Sequence, residues 1–187
     1  IAANLDDPAN RRITFNGEGD LAGITTSSEE IQAALGSSIG LGIAGLWEAG
    51  QPVTLAQLRI LGEALMLEMA GTVSGAAFDG TIALETSSLA PFSGLAGRDL
   101  TGGISLVAEG LVNAVTGEFD LDLDGRATDL TVDDELADRL LAGPATLSGR
   151  VARSADGLVA DGFALGNERI MLTADGTYAT GAADFAF

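Results

Sequence analysis

Histidine and cysteine are both missing from this chain. Without imidazole there is no Ser-His-Asp arrangement, no histidine acid–base pair and no imidazole metal site in this segment. Without thiols there are no disulfides and no thiolate chemistry, a composition compatible with an oxidising compartment. Basic residues are scarce, 9 against 27 acidic ones, for a net charge of −18. Nucleic acid needs clustered Lys or Arg and is not an expected partner, and neither is an anionic bilayer held by charge alone. The acidity reads instead as a solvated face that favours solubility. Aromatic residues make up only 5 % and proline 4 positions, whereas glycine fills 26. A chain of 187 residues that is 47 % apolar has enough material for a core. With so few rings it fits a thin, extended β structure with many tight turns better than a thick enzyme core. No run reaches the ~20 apolar residues of a membrane-spanning helix. The chain opens at Ile1 without a basic leader and closes on the strand-like Ala183–Phe187, so it reads as an excerpt of something longer.

What is present is a repeat. Leu61-Gly62-Glu63-Ala64-Leu65-Met66-Leu67-Glu68-Met69-Ala70-Gly71-Thr72 returns as Leu165-Gly166-Asn167-Glu168-Arg169-Ile170-Met171-Leu172-Thr173-Ala174-Asp175-Gly176-Thr177, with one extra residue. Self-similarity of this kind predicts stacked supersecondary units and a long shared surface rather than a compact pocket. Strand-sized apolar runs separated by breakers, about 8 to 12 residues apart, predict antiparallel meanders. Asn16-Gly17 reads as a hairpin turn, as do Asp156-Gly157, Gly166-Asn167 and Asp175-Gly176. Phe119-Asp120-Leu121-Asp122-Leu123-Asp124 is a period-two strand with one apolar and one acidic face. Two short helices are expected. One lies near 28–35 behind Ser27-Ser28-Glu29-Glu30, the other near 133–142 behind Asp133-Asp134-Glu135. The expected fold is therefore mainly β, an elongated, curved antiparallel sheet with two short helices. Two repeats, 1–103 and 104–187, each a short helix followed by strands, share one continuous sheet.

Few residues carry recognisable chemistry. Asp120-Leu121-Asp122-Leu123-Asp124-Gly125 matches the start of a calcium loop, but position 12, where a bidentate acid is required, holds Thr131. Strand alternation is the better reading, so no metal is expected. Asp133 and Asp134 are read as helix-capping residues. Paired carboxylates of the glycosidase kind remain open on spacing, but 27 acids would nominate any such pair. No catalytic residue and no cofactor is expected, and the chain is not read as an enzyme. The apolar faces pose a different question. They can close on a second sheet, curl into a trough or receive an apolar ligand, and the sequence leaves these three open. The residues that would line such a groove are Phe78, Ile82, Leu84, Ile104, Leu106, Phe119, Leu121, Leu123, Ala145, Leu147, Val151, Ile170 and Leu172.

One segment has a familiar order of residues. Leu89-Ala90-Pro91-Phe92-Ser93-Gly94-Leu95-Ala96-Gly97-Arg98-Asp99-Leu100-Thr101-Gly102-Gly103 resembles the LAxFSxLAGRxLxG segment of alphaproteobacterial TamB-like proteins, the translocation and assembly modules of the AsmA-like superfamily. Asp138-Arg139-Leu140-Leu141-Ala142-Gly143-Pro144-Ala145 resembles the DxLLAG element that follows it there, and Asp175-Gly176-Thr177-Tyr178-Ala179 is similar to the family's strand-turn units. The resemblance implies a periplasmic β-taco, a U-shaped sheet with an apolar inside, in a parent protein anchored to the inner membrane. It implies phospholipid acyl chains as the guest, and an outer-membrane BamA/TamA-type partner met through a region outside this chain. The implied function is movement of phospholipid between the inner and outer membranes in support of outer-membrane assembly. The rival expectation is a non-catalytic structural β-sandwich or solenoid module of a surface or adhesin protein.

Overall fold

The computed structural model describes residues 2–4, 11–23, 32, 35–179 and 182–186. The chain is mainly β, a single curved, unclosed antiparallel sheet. Twelve strands follow one another across it in chain order: β1 (Ala2–Asn4), β2 (Arg12–Ala22), β3 (Ser38–Glu48), β4 (Val53–Leu61), β5 (Met66–Ser74), β6 (Ala77–Thr86), β7 (Thr101–Asn113), β8 (Phe119–Thr131), β9 (Ala145–Ser154), β10 (Gly157–Gly166), β11 (Met171–Ala179) and β12 (Ala182–Ala186). Each strand packs chiefly against its sequence neighbours, the simplest outcome when short turns join long strands. Strands of 9 to 13 residues from β2 to β11 make the ladders long. Position 103/104, between the two expected repeats, lies inside β7, and the sheet runs through it unbroken.

The two ends of the sheet differ. At one end tight turns join β3 to β4, β5 to β6, β7 to β8 and β9 to β10. The longer connections gather at the other. Between β6 and β7 lie a 3-10 turn (Ala90–Phe92) and a single helical turn, α1 (Ser93–Ala96), which ends on Gly97. Between β8 and β9 lies α2 (Glu135–Leu141). Asp134 caps α2, its carboxylate accepting from the backbone N–H groups of Leu136 (3.0 Å) and Ala137 (2.9 Å), as the acidic start of this segment predicts. The other expected helix, near 28–35, falls outside the described residues except for Gln32 and Leu35.

The repeated segment forms the same structure twice. Leu61 and Gly166 each close the incoming strand, a four-residue turn follows, and Met66 and Met171 open the next strand. Matching hydrogen bonds close the two turns, from Gly62 N–H to Leu65 C=O (2.8 Å) and from Asn167 N–H to Ile170 C=O (2.9 Å). The extra residue in the second copy is absorbed where the turn begins.

Two expected turns are corrected. Asn16-Gly17 lies inside β2, opposite Ala44 and Ile43, in a ladder that pairs every residue from Arg12 to Ala22 with β3. That long-range pairing overrides the local turn preference. Asp175-Gly176 likewise lies inside β11, at a bulge facing β10. Gly162 adopts a left-handed φ of 57° there, and its N–H donates to the Asp175 carboxylate (2.7 Å).

Candidate functional site

Residues directly opposite one another in an antiparallel ladder share a face, so the registers define the two sides of this sheet. One register row reads Gly19, Leu41, Ile60, Leu67, Leu84, Leu106, Gly125, Leu147, Leu165 and Leu172, from β2 to β11. The row beside it passes through Ile43, Leu58, Met69, Ile82, Ala108 and Leu123. A row near the tight-turn end passes through Val53, Val73, Phe78, Val112, Phe119, Arg153, Leu158 and Tyr178. Nine strand-to-strand steps at about 4.8 Å make this apolar surface roughly 43 Å long.

Every groove residue expected from the sequence except one falls on this face. Phe78, Ile82 and Leu84 come from β6, Ile104 and Leu106 from β7, and Phe119, Leu121 and Leu123 from β8. Ala145, Leu147 and Val151 come from β9 and Leu172 from β11. Ile170 does not join them. It sits in the turn before β11, its N–H held by the Asn167 side chain (3.0 Å). Alternation missed Leu58, Ile60, Phe163 and Leu165. Bulges at Ala56-Gln57 and at Gly162 shift the side-chain parity within β4 and β10.

Among the described residues the face has no second sheet across it, because all twelve strands belong to one sheet. Among the described residues, α2 touches chiefly β8. It is tied at the end of the sheet by the Asn167 amide, which donates to Leu140 C=O (2.7 Å), and by Arg169, which donates to Ala142 C=O. Among the described residues no large side chain is fully buried. The accessible surface is 11,594 Å², whereas a compact folded chain of 18.8 kDa exposes about 8,300 Å². Side chains in the middle of the face shield one another, and Phe78 is 8 % exposed. Towards the two sides Ile43, Leu172 and Tyr178 are exposed. Phe15 lies over Gly45, where an added Cβ would come within 2.4 Å of the ring, so an aromatic from β2 covers the bare backbone of β3.

The opposite face is polar and acidic. Arg12 pairs with Glu48 (3.5 Å) and Arg59 with Glu68 (3.3 Å), each pair directly opposed across a ladder. Arg150 stands between Asp122 of β8 and Asp161 of β10 in register. It grips Asp120 through two 2.6 Å hydrogen bonds, from Nε and Nη2. That charge-assisted fork holds the Asp120 carboxyl below its usual range and raises the guanidinium in turn. The acidic segment Asp120–Asp124 is thus strand, with its carboxylates on the wet side. Among the described residues no group of three acids stands close enough to hold a metal.

Discrete depressions among the described residues lie on the polar face. One of about 300 Å³ is lined by Glu18, Asp20, Gly40, Gly42, Arg59 and Leu61. Another, of about 460 Å³, lies among Arg12, Thr14, Asn16, Ala44, Leu46 and Thr54. Small residues on β3 create both, and Arg59 and Arg12 already hold carboxylates. The continuous apolar face is the candidate site. Comparison with protein-family models, curated proteins and solved structures finds no match to this chain.

Proposed function

We propose that this chain is a segment of a TamB-like lipid conduit, non-catalytic and periplasmic, in a parent protein anchored to the inner membrane. In this reading the apolar side is the inside of the trough. Phospholipid acyl chains lie along it between the two membranes, and an outer-membrane BamA/TamA-type protein receives the parent beyond this chain. One observation carries the reading. An apolar face runs through ten strands, and among the described residues no second sheet lies across it. Each CH₂ an acyl chain buries there gains about 0.8 kcal/mol, while the acidic outer face keeps the sheet in water.

The test is photo-crosslinking from groups placed at Leu121 and Leu147, combined with uptake of a fluorescent phospholipid by the delipidated chain. Lipid adducts at both positions and saturable uptake are expected. Adducts to protein alone, with no uptake, would replace the conduit by a structural β module whose apolar face is sealed by a partner.

A further inference from the structure

We propose that Arg153 binds the phosphate of a phospholipid whose acyl chains occupy the apolar face, an inference that rests on the conduit reading. Among the register-paired positions of β2 to β11, Arg153 is the single charged residue on that face. Its ladder partners are Phe119 and Leu158, and Val151 precedes it on the same side of β9. The side chain is exposed beside the tight turn between β7 and β8, with Nη1 close to Gly117.

The other cross-strand arginines are placed differently. Arg12, Arg59 and Arg150 stand on the polar face, each opposite or diagonal to the carboxylate it holds. No carboxylate of the described residues pairs with Arg153. A guanidinium kept without an acid in an otherwise apolar row has a free fork of donors suited to phosphate oxygens. The neighbouring Phe119, Leu158 and Tyr178 offer apolar surface where the acyl chains would begin. A fixed cation at the tight-turn end and oily surface beyond it match an amphiphile with one anionic group. A ligand of hydrocarbon alone would leave Arg153 unused.

The experiment compares two short-chain ligands by calorimetric titration of the full chain: dioctanoyl phosphatidylglycerol and dioctanoylglycerol, which share acyl chains and differ in the phosphate headgroup. The wild type is expected to bind the phospholipid about five- to tenfold more tightly, the range one charge-assisted contact at an exposed site supplies. R153Q should bring the two affinities together, whereas R126Q, on the polar face, should leave the preference intact. The Arg153 Nε–H resonance should move on addition of the phospholipid and stay in place with dioctanoylglycerol. A preference that survives R153Q, or equal binding of both ligands by the wild type, would overturn the role of Arg153 and leave the conduit standing. Binding of neither ligand would remove the conduit itself.

Discussion

Three glycines stand side by side on the apolar face, Gly71 of β5, Gly80 of β6 and Gly110 of β7, and the tight strand approach they permit can be tested at one of them. A Cβ on Gly110 would lie 2.1 Å from the carbonyl oxygen of Asp120 on β8, where ordinary contact begins near 3.4 Å, so the neighbouring backbone must move by more than an ångström. Its φ of 143° is also one that an alanine adopts only under strain. Strain of that kind costs about 1–3 kcal/mol. A displaced ladder loses at least one hydrogen bond, worth about 0.5–1.5 kcal/mol. G110A should therefore destabilise by about 2–4 kcal/mol, and at 2–4 °C per kcal/mol for a chain of this size its melting temperature should fall by roughly 5–15 °C. Gly19 supplies the control. It has ordinary φ and open space where a Cβ would go, so G19A should leave the melting temperature unchanged or raise it slightly. Thermal unfolding followed by circular dichroism reads both. A G110A protein that melts with the wild type, or a G19A protein that falls as far, would refute the close strand approach along this row.

Two further outcomes follow from the polar groups. Asp120 has a lowered pKa in the folded chain because Arg150 holds its ionised form, so the pair contributes stability above the ordinary carboxylate range and loses it as pH falls through the depressed value. A ¹³C titration of the Asp120 carboxyl should show this low midpoint, and R150Q should return it to the ordinary range; an unchanged midpoint in R150Q would refute the assignment. Asn167 anchors α2 by donating to Leu140 C=O and shapes its own turn by accepting from the N–H groups of Arg169 (2.8 Å) and Ile170. N167D keeps both accepted bonds and loses the donated one. It should speed amide hydrogen exchange in α2 while leaving the turn intact, whereas N167A should loosen both, and equal behaviour of the two variants would refute this division.

The chain alone determined that the fold is β, that its strands are one-sided and that histidine and thiol chemistry are absent. Those properties are local: alternation in Phe119–Asp124, the capping acid before α2 and the residue inventory need no partner strand to be read. The matched turns at Gly62 and Asn167 were visible for the same reason, as a repeated string of residues.

Tertiary structure decided which residues share a row. Hydrogen-bond register is set between segments, and a single bulge reverses the parity of everything beyond it. Leu55 and Leu58 lie on the same side although they are three residues apart, and Ala160 and Phe163 do likewise. The turn signals at Asn16-Gly17 and Asp175-Gly176 yielded to ladders formed with distant strands. Arg153, one of nine arginines in the sequence, acquires its distinction only from the apolar neighbours that β8 and β10 bring alongside it.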